Sequence, residues 1–531
     1  MSSPESLPSA LLDPAAYPWS VDEVEFIETH ISWVFLAGDR VVKVKRPVRF
    51  SFVDYSTLEL RRGACDAEVR LNRLLADDIY LGVVPIVRTR EGLRVSGDGD
   101  PVDWATLMWR IDADEILESR LAQGRIPGDL TARLADRLVP FHMAIAARCN
   151  GPDEDVLRAQ EKVLQDNLAD LQPFIGAPLP EIEFRLAGDA IARFLNERRP
   201  DMLGRVANGW IREGHGDLRC EHIVVPDRGP VQVYDCVEFS RDLRCADIAS
   251  DLAFLLMDLA RLGAPAGTIG GLLQRYEAAG ADLPPGMLRL YWIHRALVRA
   301  KVHCLQIEDP DPDRRREAVR KAVDYLHMAT RQALSLKPVL IVMTGLSGTG
   351  KSTVAASIAR VLGASRIASD EVRKELASHE RGPDYLYTDD WTEQTYREMY
   401  RRGADALAAG RVTILDATFL DETRRAEVAT LASQLGVPLA MVETVTDDDV
   451  VERRLLERER RGDSISDATV AIYRQQRERH RAHPPGVPGS AIHAIINTTS
   501  DGPASLDPML SALLDAGIIE TRIDETSPIE E

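Results

Sequence analysis

The stretch that most restricts the fold of this chain is GLSGTGKS, at residues 345–352. It follows the apolar run VLIVMTG and precedes KSTVAASIARVLG, whose apolar residues recur at helical spacing. The glycines let backbone N–H groups curve around a phosphate group, and the N-terminus of the following helix adds a partial positive charge. A strand, this loop and a helix in that order therefore predict a nucleotide-binding P-loop.

Two side chains of a P-loop have defined tasks. Lys351 reaches the β- and γ-phosphates, and Ser352 offers its hydroxyl to Mg²⁺. The predicted cofactors are therefore ATP, or another nucleoside triphosphate, and Mg²⁺. The residues expected to contact the nucleotide here are Gly345, Leu346, Ser347, Gly348, Thr349, Gly350, Lys351, Ser352 and Thr353.

Strand-like and helix-like segments alternate after Lys337-Pro338. SRIAS, VTILDAT and PLAMVETV have the composition of strands, and segments such as TYREMYRRGADALAAG between them have helical periodicity. This alternation is typical of a parallel sheet with helices on both faces. We predict a doubly wound P-loop domain over 338–505, followed by an acidic, mobile tail over 506–531.

Acidic residues follow two of these strands, at the sheet edge where such folds bind ligands. Asp416 ends its strand and is a candidate Mg²⁺ ligand, although a plain helix cap is the alternative. Asp370 is a candidate for accepting the proton of a substrate hydroxyl, with an N-cap as the alternative. Arg373, one helical turn later, is a candidate for binding a charged group of the substrate.

The segment VERRLLERERRGDSISDA is rich in arginine. Arg454 and Arg458 are four residues apart and therefore share one helix face. One interpretation is a lid whose arginines stabilise the charge of a transferred phosphoryl group. The other is a solvated helix in which the arginines pair with neighbouring glutamates, so both remain open.

Residues 338 to about 500 resemble small P-loop kinases, the group that contains gluconate kinases, the kinase domain of polynucleotide kinase and zeta toxins. The SDEVRKEL and LDATF segments are similar to the acidic positions of that group. The resemblance implies phosphoryl transfer to a hydroxyl group. It does not indicate which hydroxyl compound is the acceptor.

A second motif, HGDLRCEH at 215–222, lies in the other half of the chain. It matches the catalytic loop H-R-D-L-x-x-x-N of protein kinases except at its second and last positions. Asp217 takes the place of the carboxylate that accepts the hydroxyl proton. Asp235, at the end of the strand VQVYD, is a candidate metal ligand.

Such a site also needs a lysine on the nucleotide phosphates, held by a glutamate. Lys43 and Lys45 share one face of the predicted strand in VVKVKRP, and we favour Lys43 because it lies within the apolar run. Glu68, on the following predicted helix, is the candidate glutamate. The alternatives are a solvent-facing lysine and a charge on the helix surface.

Residues 25–334 resemble the aminoglycoside-phosphotransferase-like kinase fold, which implies two lobes. The sequence departs from that pattern in three places. ETHISWVFL replaces the glycine-rich loop, leaving backbone N–H groups near Thr29, His30 and Ser32 as phosphate donors. DCVEF replaces D-F-G, and His222 stands at the Asn position, where it is either a second metal ligand or a residue that braces the loop.

Arg295 and Arg299 in YWIHRALVRAKVHC follow the helices where this fold keeps its acceptor site. They are candidates for binding an anionic acceptor. The alternative is a pair of surface charges on an amphipathic helix.

Composition limits the class of partner. With 531 residues the chain is expected to be multidomain, of mixed α/β and α+β class. A net charge of −19 argues against general binding to nucleic acid or to anionic membranes. The N-terminal residues lack the pattern of a signal peptide, no apolar run has transmembrane length, and the six scattered cysteines are typical of free thiols. We therefore predict a cytoplasmic protein.

The predicted organisation is an extension over 1–24, a kinase-like domain over 25–334, the P-loop domain and the tail. The first functional hypothesis is an ATP-dependent kinase with two active sites for small hydroxylated acceptors. In the second, only the P-loop domain is catalytic and the first half senses a ligand or regulates. The third is a polynucleotide- or protein-directed kinase, which the net charge disfavours for nucleic acid. The sequence does not indicate an oligomeric state.

Overall fold

The structure, a computed structural model, describes residues 6–50, 53–90, 92–377, 389–461, 469–482, 486–489, 491–500, 502–527 and 529. It divides into two compact units. The first comprises Met1–Val163, Arg198–Trp292 and Thr526–Glu531, and the second comprises Leu164–Glu197 and Ile293–Glu525. The boundary that we predicted near residue 337 separates the HGDLRCEH motif from the P-loop. The second unit nevertheless contains helical segments that precede this boundary.

The first unit contains an antiparallel sheet of six strands in the order β1-β2-β3-β8-β6-β7. Buried and partly buried residues alternate over most of β2, which reflects a sheet with one face on the core. The strands of this part of the chain are β1 Val24–Glu28, β2 Ser32–Ala37, β3 Arg40–Lys45, β4 Arg49–Phe50, β5 Val53–Asp54, β6 Tyr80–Thr89, β7 Gly92–Val95, β8 Pro101–Trp109, β9 Ile211–Glu213, β10 Ile223–Val224, β11 Gln232–Val233 and β12 Cys245–Asp247.

Helix α2 packs against this sheet, and its N-terminus is capped by the Thr57 side chain, which accepts from the Leu60 N–H. The helices of the N-terminal 334 residues are α1 Ser6–Leu11, α2 Leu58–Asn72, α3 Leu117–Ala122, α4 Leu130–Pro140, α5 Asp153–Leu171, α6 Glu181–Glu197, α7 Arg199–Ala207, α8 Arg241–Arg244, α9 Ile248–Arg261, α10 Thr268–Ala278, α11 Pro285–Cys304 and α12 Pro312–Gln332.

The predicted N-terminal extension packs on this sheet. Leu7 and Leu11 of α1, together with Tyr17, are buried in the same cluster as Phe35 and Val42 of the sheet. The extension therefore contributes to the core of the first unit.

The second unit is built on a parallel five-stranded sheet in the order β15-β16-β14-β17-β18. Every residue of the central strand β14 is buried, as expected for a strand with helices on both faces. The strands are β13 Leu334–Leu336, β14 Leu340–Thr344, β15 Ser365–Ala368, β16 Thr413–Asp416, β17 Leu439–Val445, β18 Ile492–Asn497 and β19 Ile519–Thr521. The helices are α13 Lys351–Leu362, α14 Ser369–Ala377, α15 Asp389–Ala408, α16 Glu422–Leu435, α17 Asp448–Arg461, α18 Val470–Ala482 and α19 Asp507–Asp515.

This topology confirms the predicted mixed α/β class, with more than one compact unit and a parallel P-loop sheet in the C-terminal part. Residues 507–521 do not form the mobile tail that we predicted from the sequence. Met509, Leu510 and Leu513 of α19 are buried in the core of the second unit, and β19 pairs with β13. Their apolar residues recur at helical spacing, which the acidic composition of the segment obscured.

The expectation of six free thiols is wrong for one pair of cysteines. Cys149 and Cys245 form a disulfide whose Cα atoms are 6.0 Å apart. The remaining four cysteines are free and buried. Among the described residues, no helix is long and apolar enough to cross a membrane.

Candidate functional site

A cavity of about 550 Å³ lies at the carboxyl edge of the C-terminal sheet. Its lining joins the P-loop to the ends of strands β15 and β16, as the topology of a doubly wound sheet requires. The lining residues are Ser347, Gly348, Gly350, Lys351, Ser352, Thr353, Arg366, Ala368, Ser369, Asp370, Glu371, Arg373, Tyr396, Asp416, Ala417, Thr418, Arg458, Ile472 and Gln476.

The P-loop connects β14 to α13, as its spacing predicted. Gly350 precedes the first helical residue in a left-handed conformation, with φ of 86°. The Lys351 ammonium donates to the Leu346 carbonyl at 2.7 Å. Burial lowers the pKa of Lys351 to about 8, against the opposing effect of Asp416 and Asp370. The lysine is thus a partly buried cation beside two carboxylates.

Asp416 is the last residue of β16 and is almost fully buried. Its Oδ2 accepts from Arg366 Nε at 3.0 Å and from Arg366 Nη2 at 2.6 Å. The cap of the next helix is Asp421, which excludes the helix-cap alternative for Asp416. A hydroxyl at Ser352 and a carboxylate at Asp416 are hard oxygen donors, so this wall of the cavity fits Mg²⁺.

Asp370 and Arg373 lie in the first turns of α14 and pair with each other, Nη1 to Oδ1, at 3.1 Å. Both line the cavity. Asp370 lies within the helix rather than before it, so it is not the residue preceding the first helical turn. The predicted base and the predicted substrate-binding arginine therefore face the same space as Lys351.

The two arginines of the predicted lid have different surroundings. Arg458 lines the cavity. Arg454 Nη2 instead donates to the Thr498 carbonyl at 2.7 Å, beyond strand β18. A four-residue spacing places both on one face of α17, but only one of them reaches the cavity. Arg458 therefore lies at the cavity and Arg454 does not, and a lid role for these arginines stays a prediction. Residues 462–468 of the lid segment lie outside the described residues.

Arg366, Gln476 and Tyr396 line the cavity without having been predicted. Arg366 also donates to Glu371 Oε1 at 3.1 Å. The position of Arg366 in β15 could have indicated its pairing, because a charged side chain in a short strand beside a buried strand needs a partner.

In the first unit, Lys43 Nζ is 2.7 Å from Glu68 Oε1 and 2.7 Å from Asp235 Oδ1. Burial alone would lower the pKa of Lys43, but Asp235 and Glu68 outweigh it and raise this pKa well above its usual value. Asp235 has φ of 61°, a conformation uncommon outside glycine and often found at functional sites. The structure thus brings together three residues from distant parts of the sequence.

Lys45 was set aside in the sequence analysis, yet it is fully buried in the same network. Its Nζ is 2.9 Å from Glu68 Oε2 and also contacts Glu238, the acid of the DCVEF segment. Glu238 Oε1 accepts in addition from the Tyr55 hydroxyl at 3.0 Å. Glu68 therefore holds two lysines, one through each carboxylate oxygen.

Asp217, the candidate base, is bound on both oxygens by one arginine. Arg219 Nε donates to Oδ1 at 2.9 Å, and Arg219 Nη2 donates to Oδ2 at 3.1 Å. This bidentate pairing competes with acceptance of a substrate proton. The sequence signal was present in the D-L-R order of HGDLRCEH, but spacing alone did not reveal the pairing.

His222 braces the same loop. Its Nδ1 is 2.9 Å from the Asp217 carbonyl oxygen, and its Nε2 is 3.3 Å from Glu221 Oε1 and 3.7 Å from Asp235 Oδ2. Burial opposes protonation, but Glu221 and Asp217 raise the pKa of His222. These contacts match the bracing alternative, while a role of His222 and Asp235 as metal ligands stays a prediction.

The segment that replaces the glycine-rich loop is a tight turn. The Thr29 N–H donates to the Ser32 carbonyl, and the Ser32 N–H donates to Thr29 Oγ1, each at 2.9 Å. The expectation that these two N–H groups face a phosphate is therefore wrong, because each is used within the turn. His30 lies between them.

Arg295 and Arg299 belong to the second unit, whereas Asp217 belongs to the first. Arg295 is 7 % exposed, which excludes a surface charge for this residue. The Arg299 guanidinium lies 5.9 Å from the ring centroid of Tyr325. Their role as an acceptor clamp stays a prediction.

Parts of this chain are similar to known protein families and proteins. A family described as AAA domain matches residues 340–483. The uncharacterized protein Rv2004c of Mycobacterium tuberculosis is 33 % identical over 460 residues, which cover 85 % of this chain and 88 % of that protein.

Two solved structures give weaker likenesses. A putative kinase from Chloroflexus aurantiacus has 19 % identity, covers 34 % of this chain and 96 % of that chain, and has a TM-score of 0.29. A choline/ethanolamine kinase family protein from Mesorhizobium loti has 13 % identity, covers 56 % of this chain and 86 % of that chain, and has a TM-score of 0.33.

Proposed function

The chain belongs to the same family as the uncharacterized protein Rv2004c of Mycobacterium tuberculosis, and we propose that it is an ATP-dependent phosphotransferase. In this proposal the P-loop domain transfers the γ-phosphoryl group of ATP to a hydroxyl group of a small molecule. The observation that carries the proposal is one cavity whose lining includes Lys351, Ser352, Asp370 and Asp416. These are the side-chain types that phosphoryl transfer requires, namely a phosphate-binding cation, metal-binding oxygens and a base.

Each residue has a task in the transfer. Backbone N–H groups of the P-loop other than that of Ser347 bind the β- and γ-phosphates together with Lys351, and Arg458, which lines the same cavity, adds a positive charge. Asp370 accepts the proton of the acceptor hydroxyl while the oxygen of that hydroxyl forms a bond to the γ-phosphorus. The bond from the γ-phosphorus to the bridging oxygen breaks, and ADP leaves with that oxygen.

Mg²⁺ would be held by the Ser352 hydroxyl and the Asp416 carboxylate. When bound, it neutralises the charge of the phosphate oxygens. Arg366 fixes one oxygen of Asp416, which restricts the direction in which the other oxygen points. Arg373, which pairs with Asp370 and lines the same cavity, binds a charged group of the acceptor in this proposal.

A second candidate function is phosphoryl transfer at the N-terminal site as well. The Lys43–Glu68 ion pair and the nearby Asp235 favour it, because this trio holds nucleotide phosphates and metal in kinase-like sites. Two observations instead favour ligand sensing by the N-terminal half of the chain. Arg219 pairs with Asp217, and the N–H group of Thr29 is hydrogen-bonded within its own turn.

The experiment is ATP consumption by the full chain across a panel of hydroxylated metabolites. Lys351→Ala should reduce turnover by roughly a hundredfold or more, because the removed charge stabilises the transition state. Lys374→Ala, an exposed lysine on α14, is the matched control and should retain turnover. Full activity of Lys351→Ala with every acceptor would refute the proposal.

Asp217→Asn, tested in the same panel, separates the two candidates. If only the P-loop domain is catalytic, this variant keeps the wild-type rate with every acceptor. Loss of turnover with any one acceptor would assign transfer to the N-terminal site.

A further inference from the structure

One peptide group of the P-loop is bound on both of its polar atoms. Its carbonyl, Leu346 O, accepts from Lys351 Nζ at 2.7 Å. Its N–H, on Ser347, donates to Gln476 Oε1 of helix α18 at 2.9 Å. A side chain from outside the P-loop thus lies directly on the loop that binds phosphate.

The orientation of the Gln476 amide follows from chemistry. A backbone N–H only donates, so the atom that it meets must be the side-chain oxygen. The NH₂ group, which carries two donors, is then directed away from the Ser347 N–H. Gln476 lines the same cavity as Lys351 and Arg458, so the side chain borders the space that phosphate would occupy.

The helix that carries Gln476 is anchored on the P-loop. Tyr473, one turn before it on α18, is buried with Val451 and Leu455 of α17, and Leu346 of the loop packs against this cluster. The Tyr473 hydroxyl also contacts the Asp448 carboxylate. Packing therefore restricts the position from which Gln476 reaches the loop.

We propose that Gln476 is a phosphate-binding residue that contacts the terminal phosphoryl group of the nucleotide. Its Oε1 keeps the Ser347 N–H while its Nε2 donates to a γ-phosphate oxygen. Lys351, which belongs at the β- and γ-phosphates, binds the carbonyl of the same peptide group and lines the same cavity, so Gln476 lies near the phosphates that Lys351 would bind. This inference rests on the proposed nucleotide site of the P-loop domain.

Glutamine suits this task better than the isosteric glutamate. A carboxylate also accepts from the Ser347 N–H, but it has no N–H to offer and adds a negative charge beside phosphate. Gln476→Glu therefore keeps the contact that braces the loop and removes the contact to phosphate. Gln475→Glu makes the same charge change at the adjacent, exposed position and is the matched control.

The test is calorimetric titration of the full chain with a non-hydrolysable ATP analogue and, separately, with ADP. Gln476→Glu should weaken binding of the ATP analogue by roughly tenfold to a hundredfold, the range expected for loss of a hydrogen bond to a charged group plus a like charge. Its affinity for ADP should change by less than about threefold, within the effect of a solvent-screened charge. Gln475→Glu should bind both nucleotides as the wild type does.

Gln476→Ala is the second variant, because it removes the donor without adding charge. It should weaken the ATP analogue by roughly tenfold and ADP much less. Equal weakening of both nucleotides in the two variants would show a loop-bracing role and overturn the inference, as would unchanged affinity for the ATP analogue. Wild-type protein that binds neither nucleotide would instead overturn the proposed function on which the inference rests.

Discussion

The Glu68 carboxylate, which is fully buried, holds Lys43 through one oxygen and Lys45 through the other. A buried charge is expensive unless it is paired, so this network is stable only as a set. Removal of the central charge leaves two cations with fewer partners. The destabilisation is largest for the charge of Lys45, since no part of its side chain reaches solvent.

Glu68→Gln should therefore lower the free energy of unfolding by about 3 kcal/mol, the low end for a broken buried ion pair, because Glu238 still contacts Lys45. Thermal unfolding of the full chain measures this change. Asp66→Asn, on the exposed face of the same helix, is the control and should change stability by less than about 0.5 kcal/mol. A Glu68→Gln variant as stable as Asp66→Asn would contradict this view of the network.

At this scale the sequence predicted the charged site residues better than the side chains that pair with them. Asp217 and Asp235 were chosen from motif spacing and Lys43 from its place in an apolar run, and the structure shows Lys43 paired with Asp235. Arg219 and Glu238 were missed as partners. Their roles depend on side chains that meet across long stretches of chain or within one loop, which no periodicity of the sequence encodes.

Among the elements, the P-loop and the helices α17 and α18 pack closely together. A Cβ atom on Gly348 would lie 2.8 Å from Val451 Cγ1 and 3.1 Å from Leu455 Cγ. Gly348 also has φ of 83°, which side-chain-bearing residues rarely adopt. Glycine is therefore required here by the approach of α17 as well as by its positive φ.

Gly348→Ala should push α17 away from the loop and weaken ATP binding by roughly tenfold or more, since a collision of this size costs about 1–3 kcal/mol. Gly410→Ala has a similar φ of 78° but would meet no atom within 4 Å, so it isolates the backbone effect. It should cost about 1 kcal/mol of stability and leave ATP binding unchanged. Equal ATP affinity of both variants in a titration would contradict the packing argument.

Element prediction succeeded where one pattern dominated. The strand–loop–helix at 340–362 and the parallel alternation after it followed directly from periodicity. The terminal elements α1 and α19 were missed because short helices near the ends of a chain resemble tails until a core is available to bury their apolar residues. Leu11 and Leu510, both fully buried, show that burial decided these cases.

Across the whole molecule, the C-terminal sheet shares its core with helices that precede the P-loop in sequence. Leu186 of α6 and Leu334 of β13 are buried in the same cluster as Ile341 and Val354. Strand β13 also supplies the antiparallel partner of β19. A cut at the apparent linker near residue 337 therefore passes through a compact unit.

A fragment over 338–531 should unfold at a temperature roughly 5 °C or more below a fragment over 309–531, which retains α12 and β13. The physical reason is lost burial of Leu334 and an unpaired β19 edge. Differential scanning calorimetry of the two fragments provides the comparison. Equal melting temperatures would show that residues before 338 contribute nothing to this core.

The most direct measurement of the central claim is a crystal structure of the full chain with Mg²⁺ and a non-hydrolysable ATP analogue. We predict that the triphosphate lies against residues 345–352, with Lys351 at the β- and γ-phosphates and Asp370 facing the γ-phosphorus. A nucleotide bound only beside Lys43 and Asp235, with none at the P-loop, would contradict it.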